Sequence, residues 1–426
     1  MKKKFLFSLF VVTVLHAETK TIEGFVENGK TNAAVEKAKI CDAKQCVKSE
    51  KNGYFTLQSN SNVFHIVAPG YKRYRFNPTS KKIHMLTPFT VHGVYLTFWG
   101  AHRKSKTFKN ILSLADASYI NSVVIDVKNE FGDILFKTSS KEALQNGAFK
   151  NRQVYHIDEY IQRLKKRNLY LIARIVVFKD EYQAINNPEY AIKKDQKLWR
   201  NHDNIAWVDP FSQKAWKYAL DVAVAAAEAG FDEINFDYIR FPAKQGLVLQ
   251  DENTMEKRLK TIAAFLVYAN KRLRPYGVFL SVDTYGNICW NKNDTNIGQT
   301  IENFEPHVDY IAPMLYPSSF ACGTMGYAYP AEHPYEMIFK SLKNASKKIQ
   351  PHRLRPWIQA FRDYSKLRKR YDACVIAEEL RAAHDANTSG WVFWSPSSKY
   401  DVSYFDANLS KSCMQKKKLL KESLKN

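Results

Sequence analysis

The sequence predicts an α/β chain: a closed (β/α)8 barrel over residues 90–408, preceded by a small β-sandwich over residues 20–88. Three observations predict it. From residue 92 onward, apolar runs of four to eight residues alternate with longer amphipathic stretches, the rhythm of parallel strands joined by crossover helices. Eight such units occupy about 315 residues, a length that suits a barrel of this kind. Before residue 88 the rhythm is different, with short alternating runs set between turn residues.

In chain order, Lys2, Lys3 and Lys4, the apolar run Phe5–Leu15 and Ala17 read as a signal peptide over residues 1–17. That run has 11 residues, fewer than the roughly 20 that span a bilayer. No later segment is apolar enough to cross a membrane. The expectation is an exported chain, periplasmic or secreted; the alternative is a cytoplasmic chain with an apolar tail. The runs Thr21–Val26, Tyr54–Gln58 and Val63–Ala68 follow, divided by Asn28-Gly29, Asn52-Gly53 and Pro69-Gly70. Gly24, Val26, Asn52-Gly53-Tyr54-Phe55 and Ala68-Pro69-Gly70-Tyr71 resemble the carboxypeptidase regulatory-like domain. The resemblance implies an immunoglobulin-like accessory sandwich that positions or stabilises its neighbour. The CDAKQC run departs from that pattern, and its Cys41 and Cys46 are spaced to close a hairpin.

Six Cys, an even number, suit an oxidising compartment. Cys289 and Cys322 fall in neighbouring barrel loops and are candidates to pair, with Cys374 and Cys413 remaining. Spacing does not settle the connectivity.

The eight barrel strands are expected at Gly93–Phe98, Ser122–Val127, Tyr170–Val177, Glu233–Phe236, Val278–Val282, Tyr310–Pro313, Arg355–Gln359 and Trp391–Trp394. The clearest helices are Lys106–Ser118, Ile157–Arg167, Gln213–Ala229, Glu256–Leu273, Tyr335–Lys347 and Ala373–Asn387. An open doubly wound sheet is the alternative, but it would carry a glycine-rich phosphate loop after the first strand. Phe98-Trp99-Gly100 holds a single Gly there. A basic tail over residues 409–426 closes the chain.

In a barrel, chemistry gathers at the C-terminal strand ends. Read off in order, those ends deliver Tyr95 and Trp99, then Asp126, Lys128 and Glu130, then Lys179 and Asp180. Asp237, Tyr238 and Arg240 come next, followed by Asp283 and Tyr285. Met314 and Tyr316, then Gln359 and Arg362, and finally Trp394 complete the rim. Carboxylates, aromatics and cations therefore meet on one face. No metal-ligand spacing of His and Asp recurs, so no metal and no cofactor is expected. The lone His92, His102, His156, His202 and His384 read as structural or solvated.

The strings WVDPF (207–211), GFDEINFDYIRFP (230–242), VVIDVKNEFG (123–132), PMLYP (313–317) and GWVFWS (390–395) resemble a glycosyl-hydrolase-like family long carried as a domain of unknown function. The likeness spans about residues 92–400, nearly the whole barrel. It implies action on a glycosidic bond, as in barrels with an aspartate nucleophile at the end of the fourth strand.

Glycoside hydrolysis uses two carboxyl groups, one ionised and one protonated. Asp237 is the candidate nucleophile or base, with Arg240 expected to hold it ionised by charge attraction. Asp283 is preferred as the acid because its strand adjoins; Asp126 is the second candidate, and Glu130 and Asp209 are weaker ones. Each has a plainer alternative. Asp237 and Arg240 would then be an ion pair, Asp283 a cap, and Asp126 a partner of Lys128 or Arg174. Asp209 before Pro210 reads most simply as a turn or cap, and Glu233 as a structural residue pointing outward to a helix. Trp394, Tyr316, Tyr285 and Trp99 are candidates to stack on sugar rings, and Arg240, Lys128 and Gln359 to contact sugar hydroxyls or charges.

The net charge is +22, which favours acidic partners. With no nucleic-acid motif present, the expected partner is a polysaccharide or oligosaccharide, acidic or amino-sugar-bearing. Three functions compete: a glycoside hydrolase, a carbohydrate-binding barrel that has lost one carboxylate, and a structural or adhesive envelope protein. A second carboxyl near Asp237 separates the first two.

Overall fold

The computed structural model describes residues 19–78, 82–365, 367–368, 370–406, 412–413 and 415. The signal-peptide reading of residues 1–17 lies outside the described residues, as does most of the basic tail.

Seven short strands before residue 88 form two sheets. In one, Lys20–Asn28 lies between Tyr54–Ser59, antiparallel, and Ile83–Leu86, parallel. The other runs Cys46–Lys48, Lys39–Cys41, Phe64–Val67 and Tyr74–Phe76, all antiparallel. Val26, Ile40, Phe55, Ile66 and Leu86 fill the space between the sheets. Cys41 and Cys46 form a disulfide across their hairpin.

The rest closes into a barrel of eight parallel strands: β1 Val91–Leu96, β2 Ser122–Lys128, β3 Tyr170–Val176, β4 Glu233–Asp237, β5 Phe279–Tyr285, β6 Tyr310–Leu315, β7 Trp357–Gln359 and β8 Gly390–Trp394. Each strand pairs with its neighbour in sequence, and β8 closes on β1 through the register Gly390↔Val91 to Phe393↔Val94. Gly390 permits that closure, because a Cβ there would sit 1.8 Å from the Val91 carbonyl oxygen. All eight strands fall within a few residues of their expected positions. So do the long helices Lys106–Asp116, Ile157–Lys165, Gln213–Ala229, Met255–Leu273, Pro334–Ala345 and Ala373–Asp385. Their boundaries have local causes. Ser105 caps the first through the Phe108 amide (2.9 Å), and Gly230, at φ 105°, ends Gln213–Ala229. The alternation predicted no helices at Lys141–Gln145, Glu181–Asn186 or Ile301–Phe304. At four to six residues, they are too short to show a period.

The sandwich docks on the N-terminal end of the barrel, away from the strand ends that carry chemistry. Val67 packs with Val91, Tyr170, Phe279 and Tyr310 in the barrel floor. The Gly70 amide donates to the Tyr310 hydroxyl (2.9 Å) and Arg73 to the Tyr276 carbonyl (2.9 Å). His65 lies so close to Gly277 that a Cβ there would come within 2.3 Å of the imidazole. Burial, then the charges of Arg73 and Arg75, lower the His65 pKa to about 4, so the ring is neutral in this contact.

Glu233 points into this floor and not outward. It takes two 2.8 Å bonds from Arg355 and one of 2.9 Å from Tyr170, a closed structural network. A barrel beginning at Phe89 would expose this floor. It is expected to melt at a lower temperature than the full chain and to scatter light on heating. Equal melting temperatures would show that the sandwich contributes nothing to the barrel.

Cys289 and Cys322 do not pair. Cys289 is buried, Cys322 is exposed, and both are free thiols. Cys374 bonds Cys413 instead, tying the C-terminal segment to the last long helix. Among the described residues, no helix is long and apolar enough to cross a membrane.

Candidate active site

Side chains alternate along a strand, so residues facing the barrel interior recur every second position. On β4 these are Asn235 and Asp237; on β5, Ser281 and Asp283. Asn235 donates to both Ser281 Oγ (3.0 Å) and Asp283 Oδ1 (2.9 Å). The register Asn235↔Ser281, Phe236↔Val282, continued by one residue, sets Asp237 level with Asp283 on strands about 4.8 Å apart.

Arg174 on β3 joins the carboxylates. It lies opposite Asp126 on β2 and Asn235 on β4. Its Nη1 donates to Asp126 Oδ1, and its Nε and Nη2 both donate to Asp237 Oδ2, the Nε bond being 3.0 Å. The same Nε lies 3.8 Å from Asp283 Oδ2. Those two Nε distances limit the separation of the Asp237 and Asp283 Oδ2 atoms to at most about 6.8 Å. Asp126 is further held by the Tyr95 hydroxyl.

One cation thus faces three carboxyl groups in the interior of the barrel. Arg174 bonds Asp126 and Asp237 directly. Asp283 is served by the neutral donors Trp357 Nε1 (2.6 Å) and Asn235, both on Oδ1. Burial, and then the charge of Asp237, push the Asp283 carboxyl well above the usual carboxylate range, against the opposing pull of Arg174. Burial also raises Asp126, again opposed by Arg174. Directly after Asp237 the chain turns sharply. Tyr238 has φ 50°, a left-handed conformation rare for a bulky residue, and its amide donates back to Asp237 Oδ1 (2.6 Å).

Asp237 and Asp283 open onto a cavity of about 210 Å³. Arg174, Tyr316, Trp357 and Trp394 form its walls, with Arg240 and Tyr285 at its edge. Trp394 stacks on Tyr316 at 5.6 Å and 27°. Of the expected site residues, Asp237, Asp283, Trp394, Tyr316, Arg240 and Tyr285 meet here.

The other four do not line this cavity. Asp126 is buried beneath it as an anchor for Arg174. Lys128 has the inward parity of Asp126, but the pairing slips there: Arg174 faces Asp126 and Ile175 faces Lys128, so Val127 is bulged out of register. Lys128 is therefore turned out of the interior. It is fully buried, paired with Asp180 (2.7 Å) and donating to the Val176 carbonyl (2.7 Å). Gln359, also fully buried, is used up by the Ser318 amide and hydroxyl. Trp99 stands on a short turn after β1, 58% exposed.

Arg240 is not the partner of Asp237. Its guanidinium lies over the rings of Trp207, Tyr238 and Tyr285 at 4.8–5.1 Å. Asp209 accepts from the Phe211 and Gln250 amides and so ties two loops together, a structural use. Sequence reasoning passed over Arg174, Trp357 and Gln299 as site residues. For Arg174 a signal existed: a lone cation in the middle of the apolar strand YLIARIV. Among the described residues, no group of three or more His, Cys, Asp and Glu is placed to hold a metal ion.

Residues 93–400 match the model of a family described as "Putative glycosyl hydrolase domain". Among solved structures, a hypothetical protein from Ruminiclostridium thermocellum ATCC 27405 is 32% identical, over 45% of this chain and 96% of that one, with TM-score 0.40. The glycoside hydrolase domain of PgaB (BpsB) from Bordetella bronchiseptica is 13% identical over 73% of this chain and 95% of that one. Its TM-score of 0.54 reflects a shared barrel fold. A chitinase from Chromobacterium violaceum ATCC 12472 is 11% identical, over 75% and 98%, with TM-score 0.43. No curated protein matches the chain.

Proposed function

The chain belongs to this glycosyl hydrolase family, and from that premise we propose that it is an exported enzyme that hydrolyses a glycosidic bond of a polysaccharide, with Asp237 and Asp283 as the working pair. The observation that carries the reading is their placement: level on adjacent strands, open to one cavity, and differently served by Arg174. Arg174 gives its direct bonds to Asp237, which suits an anion that attacks the anomeric carbon or activates water. Asp283, raised by burial and by Asp237, holds a proton for the leaving oxygen. A barrel that only binds sugar has no use for the second, protonated carboxyl.

The limit of about 6.8 Å between their Oδ2 atoms admits the roughly 5–5.5 Å of retaining enzymes and only the low edge of the inverting range of roughly 6.5–9.5 Å, which supports a retaining reading. Trp394 and Tyr316 offer ring faces to the apolar side of a pyranose, and the cavity suits a single sugar unit.

The test uses leaving groups. Asp283→Asn should lose about a hundred-fold or more in kcat/KM on unactivated oligosaccharides, yet keep much of its kcat/KM on nitrophenyl glycosides, whose departure needs no proton. The ratio kcat/KM reports that first step alone, before Asp283 turns base for the incoming water. The wild-type rate should fall on the alkaline side as Asp283 loses its proton, and that limb should vanish in the variant on the activated substrate. Equal losses on both substrate classes would remove Asp283 from the role of acid.

A further inference from the structure

A second cavity, of about 370 Å³, lies outside β1 and β2 on the same face of the barrel. Its wall comes from His102, Arg103 and Lys104, on the loop after β1, and from the segment Gln153–His156, which leads into helix Ile157–Lys165. Both segments follow strands whose Tyr95 and Asp126 anchor Arg174, so the cavity flanks the catalytic one on its β1–β2 side.

Its lining has two parts. Val154, Tyr155 and Tyr160 offer an apolar surface; Arg103, Lys104 and Arg163 surround it with charge, against the single acidic residue Glu159. Arg152 adds a further cation, its guanidinium 4.5 Å from the centre of the Tyr155 ring, and Tyr155 is 66% exposed. Some cations at the surface have carboxylate partners, as Lys217 has Asp221 and Lys257 has Asp251. Among the described residues, Arg103 and Lys104 meet no carboxylate within bonding distance. Cations in excess over a single acid, gathered around a concave surface, attract an anion. A bare inorganic ion would need only the cations. An apolar, aromatic floor of a size within the roughly 300–1,000 Å³ of small-ligand sites suits a ring. Arginine forks match carboxylate and phosphate oxygens in pairs.

We propose that this cavity binds a sugar unit carrying a carboxylate or phosphate, and that it is a distal subsite for an acidic glycan whose cleavage takes place at Asp237 and Asp283. The subsite role rests on the hydrolase reading; binding of the acidic sugar does not. Engagement there would hold an acidic polymer along the β1–β2 side of the barrel and set the scissile bond at a spacing from the charged unit.

The test measures binding directly, so that it is independent of turnover. Saturation-transfer NMR would titrate D-glucuronate, glucose 6-phosphate and glucose, with inorganic phosphate as a competitor of glucose 6-phosphate, into the full chain and into the double variant Arg103→Ala, Lys104→Ala. Both residues are exposed, and equal melting temperatures would confirm that the variant is folded. The expected result is saturable binding of an acidic sugar, weakened ten-fold or more in the double variant and by raised salt, with glucose failing to compete. Three outcomes would overturn the proposal: no saturable binding of either acidic sugar, binding indifferent to the double substitution, or inorganic phosphate binding as well as the sugar phosphate. If acidic sugars bind as expected but Asp237 and Asp283 variants cleave as the wild type does, the cavity assignment stands and the hydrolase reading fails.

Discussion

Asp237→Asn is expected to lower kcat by about a thousand-fold or more on any glycoside that the wild type cleaves, the scale seen when a catalytic carboxylate loses its charge. The melting temperature should move by no more than a few degrees. The amide oxygen of Asn still accepts the Arg174 Nε bond (3.0 Å in the wild type), and Arg174 keeps Asp126 as its ionic partner. Kinetics on nitrophenyl glycosides, paired with a thermal melt, separate the two quantities. Asp237→Gly carries the test further: azide, which fits the space vacated by the carboxyl, should restore cleavage and form a glycosyl azide. Turnover by Asp237→Asn equal to that of the wild type would end the assignment of Asp237, whatever the family suggests.

Arg174→Met is expected to be the most destabilising single change in the site. Among the described residues, it removes the one cation bonded to Asp126 and Asp237, which also lies 3.8 Å from Asp283, while leaving all three carboxyls buried. Breaking a buried ionic contact from one side costs about 3–5 kcal/mol. The loss should depend on pH, and its sign follows from linkage. Without Arg174 the folded-state pKa values of Asp126 and Asp283, which burial already raises, rise further above their unfolded value of about 4. The variant is then penalised most at neutral and alkaline pH, where folding must bury unpaired charge. It should recover part of its stability as the pH falls towards about 4 and the carboxyls take up protons. Urea unfolding at pH 5 and pH 8 measures this. A loss of the same size at both values would mean that Arg174 acts through packing and not through charge. Arg174→Lys should fall between the two, since it keeps the charge but not the fork that reaches two carboxylates at once.

Much of this fold was legible from local pattern. Strand and helix positions follow from apolar periodicity, which the chain carries within windows of ten to twenty residues. That is why Gln213–Ala229 was expected with the bounds it has. Asp237 was legible as a candidate because it stands at the end of an apolar strand run, where a barrel presents its chemistry. The same rule promoted Lys128 and Gln359, and there it failed. Parity assigns a residue to a face only while the register holds. The slip at Val127, invisible in the sequence, turned Lys128 towards Asp180. Gln359 has the right parity but is consumed by Ser318, a residue 41 positions away. Arg174 was passed over because its value lies in the partners it meets on both neighbouring strands, and no window of sequence contains them.

By itself, then, the sequence determined the (β/α)8 barrel, the small β domain before it, the rim on which chemistry would gather, and Asp237, Asp283 and Asp126 as its carboxyl candidates. Only the tertiary structure decided that one arginine stands among three acids, that burial and Asp237 raise the Asp283 carboxyl, that Cys374 bonds Cys413, and that the sandwich seals the barrel floor. The reason is physical. Periodicity and strand-end chemistry are local properties of the chain, whereas protonation, pairing and register depend on burial and on neighbours that exist only once β8 has closed against β1.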